Sequence, residues 1–305
     1  MPNPPAAPTR TSIPTGNSAL AKLLDNVKDA LRAIPVYYES GTHIEGLEAV
    51  DLFNLNSVLG SSIEIQVVDT LNRVRKVWDP DDEWPEHNFE RSSQTFPDVR
   101  LISRTGGEIN TVLGVELKGW YLLAKEGVPS FRYKVTPAAC SEYDLLVVVP
   151  WHLKNVLSGI PIVYEPYIEQ ARFVAQYRNF WWKHMRNSAG NTTINPPPGV
   201  IQPYPPPKSK VNDSPSSDSG GNFGRVARIG VMDTYIDRML SHRVSGVEAN
   251  HWVLFFKTYA ESNNSARITE KLENELARMR QEANSDSDLR LLDLLAEIGN
   301  LWCTR

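Results

Sequence analysis

The sequence predicts an α/β fold, in which a mixed β-sheet core is flanked by helices and further helices follow at the C-terminal end. Three observations carry this expectation. Apolar residues recur at helical spacing between positions 19 and 78. Residues 96–102, 112–121 and 145–149 form alternating or continuous apolar runs of strand length. Helical periodicity then returns at 165–186 and again beyond residue 223.

Residues 1–18 are rich in proline and alanine and read as a flexible leader. No apolar stretch follows a basic start there, so they do not resemble a secretory signal. From 19 to 34, Leu20, Leu23, Leu24, Val27, Leu31 and Ile34 mark one face of an amphipathic helix. A second helix is expected at 46–59, broken by Gly60. Ser61 or Ser62 then caps a third, carrying Ile63, Val67, Leu71, Val74 and Trp78. The acidic, proline-containing stretch 79–85 ends it.

Two strands, 96–102 and 112–121, are joined by a polar segment containing Gly106 and Gly107. A short strand at 131–135 and a short helix at 136–143, opened by Pro137, come next. The uninterrupted run Leu145, Leu146, Val147, Val148, Val149 reads as a central strand covered on both faces. A long helix is expected from 165 to about 186. Eight of the 22 prolines fall between Pro196 and Pro215, so 191–222 reads as a Pro/Ser/Gly-rich linker or loop. Helices are expected at 225–240, 246–260 and 266–283, with a last one ending near Leu301. The organisation is thus a leader (1–18), a core (19–190), a linker or loop (191–222) and a helical C-terminal region (223–305).

Composition narrows the function. Two cysteines, Cys140 and Cys303, are too few for a disulfide framework and have no CxxC spacing, which fits a reducing, cytoplasmic setting. Six histidines show no HExxH pattern, which argues against zinc; His152 and His184 read as packing or surface residues. The phosphate-binding patterns GxxxxGK and GxGxxG are missing, which leaves nucleotide-driven chemistry without support. No apolar run reaches the roughly 18 residues of a membrane span. A net charge of −4 disfavours a general nucleic-acid coater, yet it allows a local basic cleft.

One constellation carries chemistry. Pro97 and Asp98 open the first strand of the pair, and Glu116, Leu117 and Lys118 lie near the end of the second. Side chains alternate along a strand, so Glu116 and Lys118 share a face with Asp98 and Arg100. Val99, Leu101, Leu113, Val115 and Leu117 fall on the other face as core. Folding the segment about Gly107 sets Asp98 opposite Glu116, with Lys118 one step further along. Two carboxylates so close need a compensating charge, and Mg²⁺ accepts such hard oxygen ligands; the Leu117 carbonyl is a further candidate. The bland alternative is a solvated sheet face on which Lys118 is the salt-bridge partner of both acids.

Pro97-Asp98 followed by Glu116-Leu117-Lys118, each in a hydrophobic strand, resembles the PD-(D/E)XK nuclease superfamily, which includes many type II restriction endonucleases. The resemblance covers residues 43–186. It implies a restriction-endonuclease-like sheet, Mg²⁺-dependent hydrolysis of double-stranded DNA, and Asp98, Glu116 and Lys118 as the catalytic residues. A helix preceding the active-site strands often adds an acid in that family, which carries Glu64 over as a further metal ligand. The family's later helix and strand correspond to 136–143 and 145–149. A restriction enzyme also implies a homodimer on a palindromic site and a separate cognate DNA methyltransferase. Repair or junction-processing nucleases share the active site, and a non-catalytic DNA-binding or scaffold protein is the alternative from another class. In the helix expected at 165–186, Arg172, Gln176, Arg178, Lys183 and Arg186 are candidate DNA contacts; its aromatics read equally as core and its cations as a solvated face.

Overall fold

A six-stranded mixed sheet forms the centre of the computed structural model, which describes residues 5–12, 18–46, 55–92, 95–186, 191–205, 210–218, 220–261, 265–282 and 285–303. The strands are β1 (Asn88–Arg91), β2 (Val99–Thr105), β3 (Glu108–Tyr121), β4 (Leu145–Leu153), β5 (Pro161–Val163) and β6 (Tyr167–Gln170). β1, β2 and β3 are antiparallel neighbours, and β4 lies parallel to β3. β5 and β6 both pair antiparallel with β4, one along each half of it. With neighbours on both edges and helices over its faces, β4 is buried at every residue. The mixed α/β class is therefore observed.

The N-terminal helices are built from the apolar stripe. Helix α1 (Ser18–Arg32) buries Leu23, Leu24, Val27 and Leu31, and α2 (Ile34–Tyr37) follows after a single turn residue. Helix α3 (Leu55–Arg73) lies on β3, and α4 (Arg75–Trp78) returns to pack against α1. Gly60 does not break the chain as the sequence suggests. It sits inside α3, with open space where a side chain would be. A glycine there costs about 1 kcal/mol, which the burial of Ile63, Val67 and Leu71 outweighs at about 1.5–3 kcal/mol each. Most of the helix expected at 46–59 lies outside the described residues.

The connection from β3 to β4 departs further from expectation. Residues 131–135 form no regular strand; isolated bridges join Arg132 to Arg225 and Val135 to Asn212. The helix expected at 136–143 is one 3₁₀ turn, Pro137–Ala139. Here the Asp144 carboxylate accepts the Ser141 N–H, a local bond that competes with helix propagation. The long helix expected from 165 is delayed as well. Residues 167–170 become β6, because the exposed edge of Leu145–Val148 offers ladder hydrogen bonds to them. Helix α5 (Ala171–Phe180) follows and ends in a π turn, Trp181–Met185.

Residues 191–222 are a loop, but not a spacer. A two-stranded sheet, β7 (Ile194–Asn195) with β8 (Ser214–Pro215), folds it back, and Val200 and Asp213 are buried. Within the expected leader, Arg10 and Thr11 make contacts with residues 169–173. Arg10 pairs with Glu169 and lies over the Phe173 ring, while the Gln170 amide exchanges two hydrogen bonds with the Thr11 backbone.

Beyond the loop come α6 (Asp233–Leu240), a hairpin of β9 (Arg243–Val244) and β10 (Val247–Glu248), α7 (Ala249–Glu261), α8 (Ser265–Glu282) and α9 (Asp286–Cys303). The helix expected from 225 starts only at Asp233, since Gly230 adopts φ +82°. Ile236, Met239 and Phe256 join the main core, and Leu276, Met279 and Leu292 form a small second cluster between α8 and α9. Among the described residues no helix is long and apolar enough to cross a membrane.

Candidate active site

The β2–β3 hairpin turns on Gly106 and Gly107, at φ +63° and +86°, values that L side chains rarely adopt. Thr105 therefore faces Glu108, and the centre of the hairpin lies between the two glycines, not on Gly107. That register alone would run on to set Asp98 against Val115. A bulge corrects it: the pairing shifts between Leu101 and Ile102, after which Leu101 faces Leu113 and Val99 faces Val115. One step further, Asp98 meets Glu116. The juxtaposition read from the sequence holds, through a bulge the sequence did not reveal. The apolar face also forms, with Val99, Leu101, Leu113, Val115 and Leu117 at most 1% exposed.

Asp98 sits in the bend just before β2, and its backbone carbonyl accepts the Ser92 N–H. Beyond the end of β2, the Leu117 N–H of β3 has no ladder partner there and donates to Asp98 Oδ2 at 3.1 Å. The Leu117 carbonyl points to the same side of the strand as its N–H. The Asp98 N–H donates to Glu116 Oε2 at 3.3 Å. Lys118 Nζ completes the cluster, 2.7 Å from Glu116 Oε1 and 3.4 Å from Asp98 Oδ2.

The cluster carries more negative than positive charge, and its electrostatics follow from that. Burial pushes the Glu116 carboxyl up to about 7, with the Asp98 charge adding to it and Lys118 opposing. Burial works against the Lys118 ammonium too, but Glu116 and Asp98 together outweigh it and hold its pKa above the ordinary lysine value. Lys118 is thus charged at neutral pH, and Glu116 is slow to ionise. Glu64, on α3, belongs to the same field: burial first and then Asp98 raise its pKa, while Lys118 lowers it. Its carboxylate lies 3.8 Å from Arg91. Among the described residues no group of three or more His, Cys, Asp or Glu side chains is arranged to hold a metal ion. The arrangement in hand is two carboxylates around one ammonium, with Glu64 at its margin.

No known family, curated protein or solved structure matches this chain. What the site can do therefore rests on its own geometry.

Residues that the sequence did not single out hold the Pro97–Asp98 turn. Asp144, fully buried before β4, accepts hydrogen bonds from the Gly114 N–H (2.6 Å), the Ser141 N–H (2.7 Å) and the Tyr204 hydroxyl (2.5 Å). Gly114 leaves the space that Pro97 and Asp144 fill: a Cβ there would lie 2.3 Å from Pro97 Cγ. Arg100 donates to the Phe96 carbonyl at 3.0 Å and stacks on the Tyr204 ring at 4.7 Å. A lone aspartate before an apolar run and one tyrosine among prolines carry no periodic signal, so nothing in the spacing could have joined them.

The DNA contacts expected on one helix are dispersed. Arg172 donates to the Cys140 carbonyl and lies near Glu142. Gln176 and Lys183 are exposed, and Arg186 stacks on Trp182 at 3.7 Å. Arg178 corrects the expectation. It is 1% exposed, ion-paired with Asp213 at 2.5 Å, and bonded to the carbonyls of Tyr133 and Val135, so it is a core residue out of reach of any ligand.

Proposed function

We propose that the chain is a Mg²⁺-dependent endonuclease that hydrolyses phosphodiester bonds of double-stranded DNA, acting as a type II restriction enzyme. The observation that carries this reading is the single Lys118 ammonium within reach of both the Asp98 and Glu116 carboxylates, next to the Leu117 N–H. A helix, α3, precedes the hairpin and brings Glu64 to the margin of the cluster, as a restriction-endonuclease-like core would. The β3–β4 connection, with one 3₁₀ turn in place of a helix, departs from that pattern.

The donor set suits Mg²⁺, which binds through one or two carboxylates and keeps several waters. Asp98, Glu116 and the Leu117 carbonyl would hold it; bound there, it supplies Lewis-acidic charge that favours attack by water and offsets charge growing on a phosphate. Lys118, kept protonated, is an electrostatic anchor for a non-bridging phosphate oxygen and not a general base. Glu116 is the group whose proton exchanges near neutral pH. The turn-holding set of Arg100, Gly114, Asp144 and Tyr204 keeps Asp98 in place. On this reading the enzyme is a cytoplasmic homodimer accompanied by a separate DNA methyltransferase.

One observation favours a second reading: Lys118 already neutralises part of both carboxylates, as a purely structural salt bridge would. Incubation with plasmid DNA and Mg²⁺, alongside Asp98→Ala and Lys118→Ala, separates the two. Discrete bands lost in both variants support the restriction enzyme. A smear supports a sequence-indifferent repair or junction nuclease. Intact plasmid with Mg²⁺ and with Mn²⁺, over many duplex sequences, sinks the enzyme and leaves the scaffold.

A further inference from the structure

Among the described residues several cations of this acidic chain are engaged by its own acids. Arg10, Lys22, Arg32, Arg73, Arg104 and Lys118 all sit in ion pairs. Five others do not. Among the described residues Arg132, Lys134, Arg186, Arg225 and Arg228 have no acidic partner, and they converge on one glycine-rich loop, residues 220–224.

The convergence is geometric. Gly221 has φ +60°, and a Cβ on it would lie 2.3 Å from the Arg132 guanidinium. Gly224 has φ +87°, and its Cβ would lie 2.9 Å from Lys134 Cγ. Only glycine lets these two side chains lie over the loop. Arg225 donates to the Gly221 carbonyl, bridges the Arg132 backbone, and is followed by Arg228, which bonds the Asn222 side chain. Phe223 packs edge-on against Trp182, over which Arg186 lies, so the π turn after α5 brings its own cation to the same place. Of the nearby acids, Asp218 accepts the N–H groups of Asn222 and Phe223, and Asp213 is taken by the buried Arg178. Arg132 and Arg228 are exposed.

The loop is also fastened to the wall of the candidate active site. The Tyr133 N–H donates to the Gly224 carbonyl at 2.7 Å, while its buried ring packs against Phe96, two residues before Asp98. Cations without acidic partners suit phosphate oxygens, which accept hydrogen bonds from guanidinium and ammonium groups alike.

We infer that Arg132, Lys134, Arg186, Arg225 and Arg228, around the 220–224 loop, form the surface that holds the phosphate backbone of double-stranded DNA. This rests on the nuclease reading for its choice of polyanion, and it replaces the single groove-facing helix with a loop-centred patch. Binding of the full chain to a fluorescent duplex of roughly 30 base pairs, measured by anisotropy in EDTA over a salt series, tests it without cleavage. The pair Arg225→Ala and Arg228→Ala together should weaken binding roughly tenfold and lower the salt slope by about two. Gly221→Ala, which removes no charge but displaces Arg132, should weaken binding too. Arg32→Ala, remote and ion-paired, should change neither. Thermal melting of each variant reports that the fold is kept. Wild-type affinity and slope in the folded double variant overturn the inference. If plasmid cleavage nevertheless depends on Asp98, the nuclease reading stands without this surface. If the patch governs binding while no plasmid is cut, the surface stands and the nuclease reading falls.

Discussion

The Gly114 amide donates to Oδ1 of Asp144 at 2.6 Å, so a buried carboxylate stands where a continuing strand would otherwise pair with β3. Pro97 is wedged into the same space, and the position of Asp98 depends on it. Gly114→Ala would place a methyl 2.3 Å from Pro97 Cγ and 2.8 Å from Asp144 Oδ1. We expect it to destabilise the protein by about 1–3 kcal/mol and to depress cleavage in the fraction that remains folded. Urea unfolding and the plasmid assay on one preparation check this; unchanged stability would remove the wedge.

Tyr204 has two separable jobs. Tyr204→Phe loses the hydrogen bond to Asp144, at a cost of about 1–3 kcal/mol for the acceptor left short, and keeps the ring under Arg100. Tyr204→Ala loses both. Cleavage by the phenylalanine variant should stay near wild type, while that by the alanine variant should fall. Equal loss in both would mean that the hydroxyl, and not the stacked ring, holds the turn.

Lys118→Ala removes the ammonium that bridges Asp98 and Glu116. Cleavage should drop roughly a hundredfold to ten-thousandfold, with duplex binding in EDTA little changed. A parallel loss of binding would relocate Lys118 to the DNA-holding surface.

The pH dependence follows from Glu116. Its folded pKa, about 7, lies above that of a carboxyl in the unfolded chain. The folded state therefore binds the extra proton, and this contribution to stability is complete below the unfolded value and is lost as pH rises through about 7. Mg²⁺ competes for the same oxygen. It should raise the melting temperature strongly at pH 8 and little at pH 5, and cleavage should climb across neutrality. A melting shift independent of pH would exclude Glu116 as a ligand.

Arg178 provides the contrast with the cations proposed to hold DNA. Its ion pair with Asp213 is 1% and 2% exposed on the two sides. Arg178→Ala should cost about 3–5 kcal/mol by stranding the Asp213 charge, seen as a lower denaturant midpoint. Arg228→Ala, exposed, should leave that midpoint unchanged.

Local patterning in the chain already specifies the α1 stripe, the three long strands, and a face that joins Asp98, Glu116 and Lys118. Each of these depends only on alternation or helical spacing over neighbouring residues. The rest required the folded chain, because the deciding partners are far apart in sequence. Residues 167–170 became a strand, and not a helical turn, because the β4 edge was free to pair with them. Gly60 stayed helical because the buried face of α3 outweighed its propensity. The hairpin register hinged on a bulge at Leu101 and Ile102 that no local pattern encodes. Arg178 looked like a surface cation until Asp213, 35 residues away, was folded against it. The same distance effect gathered Arg132, Arg186 and Arg225 around one loop. Periodicity reports which face a residue occupies; only packing decides what that face meets.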